Sequence, residues 1–201
     1  MIKLLIFDFD GTISDARAIA RKNLFFVLDK REYKYDKKKA EKLLGVRMPE
    51  ILQKLRIPES KNKEIRKEFY DLMIKDTIKL HECVSIKPLK ELRKECRLII
   101  VSNSESRFLL CSAKKLKVID LFHEFYGAEK FKTKDKEIRY VLKKYKLKGN
   151  EAMYIGDRFS DVECAKKAKV ISVAIHNNCS WSSLDEVIKT KPDFIINNFH
   201  D

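Results

Sequence analysis

The sequence predicts an α/β chain, a doubly wound parallel sheet carrying an inserted α-helical cap, and three observations carry that expectation. Short apolar runs that end in polar residues alternate with helix-period segments over most of the chain. The alternation stops between about Asp15 and Leu80, where only helical patterns remain. The first apolar run, residues 3–8, breaks abruptly into Asp8-Phe9-Asp10-Gly11-Thr12, so a buried strand delivers polar groups to a tight loop at its C-terminal end.

Each element follows from its own pattern. After the first strand, the stretches ARAIARKNLFFVLDK, KKAEKLL, PEILQKL and NKEIRKEFYDLMIKDTIKL repeat apolar residues at helical spacing. Pro88 in VSIKPLKELRKE suits the first turn of the helix that restarts the core, where a missing N–H costs nothing. Further strands are expected at RLIIVSNS (97–104), EFYGAE (124–129), AMYIGD (152–157), VISVAI (170–175) and DFIIN (193–197). Strands separated by helices join in parallel through right-handed crossovers. The expected organisation is therefore a core of residues 1–14 and 82–201 and a cap of residues 15–81. AKKAKV, after the last acidic motif, ends its helix without the glycine usual at such ends, which is a tolerable departure.

Composition narrows the classes of function. A chain of 201 residues suffices for one core with a small accessory domain. It has no apolar run long enough to cross a bilayer, and Asp8 and Asp10 come too early for a signal-peptide core, so a soluble, cytoplasmic protein without a membrane partner is expected. Cys83, Cys96, Cys111, Cys164 and Cys179 are odd in number and scattered, with no CxxC pair, which points to reduced thiols rather than a disulfide framework or a zinc site. His81, His123, His176 and His200 show no metal-ligand spacing. The net charge of +14 invites a nucleic-acid partner. Its lysines, however, are interleaved with Glu and Asp over nearly every helix, the pattern of solvated helix faces, so a lysine-rich surface is the favoured reading. Trp181, Phe25, Phe26, Phe69 and Tyr70 are expected to pack in the core or between domains rather than to stack on bases.

In an open parallel sheet the ligand site lies beyond the C-terminal strand ends. Asp8 and Asp10 end the first strand, Ser102 and Asn103 the next, and AMYIGD ends in Asp157, with Asp161 at the start of the following helix. Lys132 lies in the connection after EFYGAE. Carboxylates this close repel one another and repel a phosphoryl group, so the cluster requires a cation. Mg²⁺ is the natural one, because it accepts two carboxylates together with a substrate oxygen. A lysine adds a point charge for the phosphate and the Ser102 hydroxyl a directional hydrogen bond.

Asp8-Phe9-Asp10-Gly11-Thr12, Ser102, an upstream lysine and Gly156-Asp157 with Asp161, in this order, resemble the haloacid dehalogenase-like phosphohydrolase superfamily over almost the whole chain. The nearest look is to the helical-cap subgroup that includes phosphoglycolate phosphatases and β-phosphoglucomutases. The resemblance implies that Asp8 is the nucleophile and a metal ligand, and that Asp10 protonates the leaving oxygen and then activates water. It implies that the backbone carbonyl of Asp10 and the side chain of Asp157 complete the protein's Mg²⁺ ligands, and that Asp161 holds a metal-bound water or the lysine. Ser102 and the lysine would bind the transferring oxygens, flanked by Phe9, Gly11, Thr12 and Asn103. KFKTKDKE offers four lysines; spacing picks Lys132, with Lys134 in reserve. In the cap, LLGVRMPEIL makes Arg47 a candidate reader of a substrate carboxylate or phosphate, with a plain surface position as the alternative. The activity implied is Mg²⁺-dependent hydrolysis of a small phosphorylated metabolite, phosphoglycolate-like, sugar phosphate or nucleotide, through an aspartyl-phosphate. The competing readings are a phosphomutase of the β-phosphoglucomutase type and a basic protein that binds or processes nucleic-acid ends.

Overall fold

The computed structural model describes residues 1–201. Six strands form one fully parallel sheet in the order β3-β2-β1-β4-β5-β6. β1 (Leu4–Phe7) is buried along its whole length, as expected of a strand covered on both faces. It lies between β2 (Arg97–Val101) and β4 (Ala152–Gly156), with Phe7 opposite Ile100 on one side and Ile155 on the other. β3 (Glu124–Tyr126), β5 (Ile171–Ile175) and β6 (Phe194–Ile196) extend the sheet to its edges. From β1 the chain builds outward through β2 and β3, then crosses back to place β4 on the opposite side. The crevice beyond β1 and β4 is therefore the topological switch point.

The strands expected from sequence are all present, each shorter than its run suggests; β2 and β3 lose the polar tail to a loop, whereas β5 loses only Val170 at its start. Between β1 and β2 there is no strand; the insert consists of α1 (Arg17–Asp29), α2 (Lys37–Leu43), α3 (Met48–Lys54) and α4 (Asn62–Lys75), followed by α5 (Lys87–Glu95) with Pro88 in its first turn. α6 (Ser106–Lys115), α7 (Lys134–Tyr145), α8 (Phe159–Ala168) and α9 (Leu184–Lys189) cover the sheet downstream. α8 ends on Lys169 in the left-handed region, φ 60°, where glycine is usual, a strain of about 1–2 kcal/mol. No helix is long and apolar enough to cross a membrane.

Alternation along β1 divides the core. Leu4 and Ile6 join Ile99, Tyr154, Val141 and Ala165 on one face. Leu5 and Phe7 join a larger apolar body on the other, which continues through Phe9 into Leu24, Met48, Ile51 and Phe69 of the insert. The insert is thus packed on the core rather than tethered to it. The two chain crossings between them pair with each other: Asp15 N donates to His81 O at 2.9 Å and Cys83 N to Ile13 O at 3.0 Å. Phe69 and Tyr70 are buried as expected, whereas Phe26 is half exposed.

Candidate active site

Three of the strand-end carboxylates meet at the switch point. Asp8 follows β1, Asp157 follows β4, and Asp161 stands in the first turn of α8, where its Oδ2 accepts the Arg158 N–H at 3.0 Å and caps the helix. The carboxylate oxygens of Asp8, Asp157 and Asp161 lie within 4.8 Å of one another and all three residues are buried. Burial pushes the Asp8 carboxyl up, with Lys134 opposing and Asp161 reinforcing. It pushes Asp157 well up, reinforced by Asp161 and Asp8.

The lysine in this cluster is Lys134, which corrects the choice of Lys132. Its Nζ stands 2.8 Å from Asp8 Oδ2 and 2.6 Å from Asp161 Oδ1, and the residue is buried. Lys132 is exposed and lines a separate cleft. The reason is where α7 begins: Thr133 is its extended N-cap and Lys134 its first residue, so the lysine carried by the helix end enters the site while Lys132 stays in the loop. One lysine leaves three clustered carboxylates undercompensated, so the donor set fits a hard divalent cation. Both oxygens of Asp161 are already engaged, by Lys134, by Tyr154 OH at 3.4 Å and by Arg158 N. Asp8 and Asp157 are engaged as well, Asp8 by Lys134 and Asp157 by Thr12 and Trp181, so all three remain candidate metal ligands.

Asp10 is set apart from that trio. Its Oδ2 accepts from Ser104 Oγ at 2.5 Å, and its Oδ1 is buried without a partner. Burial pushes this carboxyl up to about 7, against the opposing Ser104 hydrogen bond. Between the two aspartates Phe9 is wholly buried, and its carbonyl accepts from Ile13 N at 2.8 Å and Ser14 N at 2.9 Å, closing the loop. Gly11 has φ +87°, and a Cβ there would fall 2.5 Å from Asp157 Oδ2. Only glycine lets this loop lie against Asp157. Thr12 Oγ1 donates to Asp157 Oδ1 at 3.2 Å, and Trp181 N to Asp157 Oδ2 at 2.7 Å.

Ser102 is buried and its hydroxyl accepts from Ser104 N at 3.2 Å. It lines, with Asp8, Asp10 and Ser104, a chamber of about 40 Å³ whose opposite wall comes from the insert. Asn103 ties the two walls together: its Nδ2 donates to Gly45 O at 2.9 Å and its Oδ1 accepts from Arg47 Nε at 3.1 Å. Arg47 is neither a surface residue nor aimed at Asp8. Its guanidinium donates to the carbonyls of Ala128 and Phe131 and lies 3.5 Å from the wholly buried Glu137 carboxylate. Beyond Met48 and Tyr70 a wider cleft of about 550 Å³ opens, bordered by Arg66, Glu129, Lys130 and Lys132.

Sequence reasoning missed Ser104, Tyr154, Arg158 and Trp181. Ser104 carries a signal, since it prolongs the polar run that ends β2. Arg158 and Trp181 carry none, lying in connections without periodicity.

Fold and site together define an enzyme of the parallel α/β class with an acidic centre at its strand ends. The chain belongs to the haloacid dehalogenase-like hydrolase family, whose signature matches residues 5–175. It is 29% identical to a protein of Caldanaerobacter subterraneus subsp. tengcongensis provisionally named pyrophosphatase PpaX, covering 97% of this chain and 90% of the relative. It is 24% identical to the phosphoglycolate phosphatase of Vibrio vulnificus, covering 96% and 91%. A haloacid dehalogenase-like family hydrolase from Streptococcus pneumoniae superposes with a TM-score of 0.83 at 20% identity, covering 99% of this chain and 95% of that one, which establishes the shared fold.

Proposed function

We propose that the protein is a Mg²⁺-dependent phosphatase acting on a small phosphate monoester through a phospho-aspartate on Asp8. The observation that carries this reading is the division of labour among buried carboxylates. Asp8 is held by Lys134, while Asp10 stands apart with a carboxyl pushed up to about 7.

In the first step an Asp8 oxygen forms a bond to phosphorus as the bond to the leaving alkoxide breaks, and protonated Asp10 gives its proton to that oxygen. In the second step a water oxygen attacks phosphorus, Asp10, now a carboxylate, takes the water's proton, and the Asp8–phosphorus bond breaks to release inorganic phosphate. A carboxyl held near neutrality suits a group that must be acid first and base second. Lys134 and the Ser102 hydroxyl would hold the transferring oxygens. Asp8, Asp157 and the Asp10 carbonyl would hold Mg²⁺, with Asp161 fixing the lysine. When bound, that ion neutralises the carboxylates and draws charge from the phosphoryl group. Monoester hydrolysis needs a barrier reduction on the order of 20 kcal/mol, more than any one of these groups supplies.

Residues 15–81 would act as a cap, with the paired crossings 13–15 and 81–83 as its hinge and closure excluding bulk water. The names of the two relatives, a phosphoglycolate phosphatase and a pyrophosphatase, agree with chemistry on phosphate. Phosphate release from a panel of phosphorylated small molecules, with and without Mg²⁺, tests the reading. Turnover is expected to require the ion and to fall by about 10³-fold or more in Asp8→Asn. Turnover indifferent to either would sink it.

A further inference from the structure

The chamber beside Asp8 and Asp10 contains two hydrogen-bond donors that nothing in the protein satisfies. Arg158 is only 6% exposed, and one of its terminal nitrogens donates to the Leu44 carbonyl of the insert. Its Nε is buried with no partner, and so is the indole Nε1 of Trp181. Both residues line the same chamber as the two aspartates, and both also border a wider cleft of about 690 Å³ that includes Glu186. Buried donors are rarely left unmatched, and an unmatched cationic one is the most costly kind.

Charge makes the pairing specific. Arg158 is the one cationic residue lining the chamber, and Lys134 is already paired with Asp8 and Asp161. The other buried arginine of this region, Arg47, lies outside this chamber, where it donates to Asn103 Oδ1 and to the carbonyls of Ala128 and Phe131 and faces Glu137 at 3.5 Å. The insert contributes a mostly apolar wall, including Val46, Ile51, Phe69 and Met73, with Tyr70 its one hydroxyl. Gly45 roofs the pair: its φ is +83°, and a Cβ there would fall 2.1 Å from an Arg158 nitrogen and 2.6 Å from the Trp181 ring. The glycine thus lets the insert's loop lie flat on Arg158 and Trp181.

We propose that Arg158 and Trp181 form the subsite that reads an oxyanion on the leaving group of the substrate, a carboxylate or a second phosphate. The proposal rests on the phosphatase reading for what the ligand is attached to. A guanidinium with its Nε–H free beside an indole N–H is matched by an anionic, multi-oxygen acceptor. Because the same arginine holds the Leu44 carbonyl, a ligand on Arg158 also meets the loop that closes over the site.

Trp181 is the sole tryptophan, so its fluorescence reports on the subsite directly. Asp8→Asn protein in Mg²⁺ is titrated with phosphoglycolate, pyrophosphate and the neutral counterpart 2-hydroxyethyl phosphate. At least one anionic ligand is expected to bind about 10-fold or more tightly than the neutral one, and the stronger of the two identifies carboxylate or phosphate as the group read. Adding Arg158→Met is expected to abolish the preference. With Asp8 intact, Trp181→Phe keeps the ring and loses the donor, and it is expected to lower the anionic-to-neutral kcat/KM ratio severalfold. Equal affinities for all three ligands, or ratios unchanged in both variants, overturn the subsite even if the protein is an active phosphatase. Selective binding by a protein that turns over no monoester overturns the phosphatase reading and leaves the subsite standing.

Discussion

Lys134 is the residue on which the charge balance of the site depends. It is the one cation in contact with Asp8 and Asp161, and both partners are nearly inaccessible to water. Removing it leaves buried carboxylates uncompensated, at a cost of about 3–5 kcal/mol for a broken buried pair. Lys134→Ala is therefore expected to lower the urea midpoint clearly and to cut kcat/KM by at least about 100-fold. Lys132→Ala, changing an exposed side chain, is expected to stay within about twofold on activity and about 0.5 kcal/mol on stability. The reverse ranking would return the role to Lys132. The four aspartates were legible because each sits at a fixed offset from an apolar run or a helix start. The lysine was not, because four lysines alternate through a loop and only the position where α7 begins selects among them. Trp181 and Arg158 were illegible for a related reason: a connection has no period, so a side chain that turns inward there looks like one that does not.

At the scale of elements, the segment from Leu44 to Arg47 is held to the core from both directions. Arg158 reaches up to Leu44 O, Asn103 reaches up to Gly45 O, and Arg47 reaches down to the loop before α7 and to Glu137. Helical periodicity disclosed the insert but not this fastening, which runs through backbone carbonyls that any sequence supplies. Glu137 makes the fastening pH-sensitive. Neither of its carboxylate oxygens has a hydrogen-bond partner. Burial pushes it up to about 7, against Arg47, Lys134 and Lys130, with Glu129 reinforcing. The unfolded chain releases this proton near the ordinary glutamate value of about 4.3, whereas the folded chain keeps it until about 7. Between those limits the folded state binds more protons, so this group's contribution to stability falls as pH rises, by at most about 4 kcal/mol over the window. Glu137→Gln is expected to gain stability relative to wild type at pH 7.5 but not at pH 4.5, as read from urea midpoints. A difference between the two proteins that does not change with pH would refute this account.

For the whole molecule, the alternation of apolar runs and helical segments was enough to indicate the parallel sheet, because both faces of such a sheet demand continuous hydrophobic strands. Part of the positive charge is neutralised on the surface, where Lys22, Lys30 and Lys144 each pair with a carboxylate from another element. Such exposed pairs contribute little to stability. The stronger electrostatic term is buried at the switch point, where Asp8, Asp157 and Asp161 crowd one lysine. That arrangement costs folding stability, as a cluster awaiting the proposed cation would, and the cost has a measurable sign. Asp157 is pushed well up by burial and by its two acidic neighbours, so its ionised form is unfavourable without a cation. Asp157→Asn keeps the shape and removes the charge, and it is expected to raise Tm in chelator. Mg²⁺ at about 100 times its Kd is expected to stabilise wild type by about 2.7 kcal/mol, a rise on the order of 5–10 °C for a chain of this size, and to do little for the variant. Thermal melts of both proteins with and without the ion read the crossing directly. If Asp157→Asn is less stable than wild type in chelator, or gains as much from Mg²⁺, the carboxylates are held together by something other than the cation they are proposed to await.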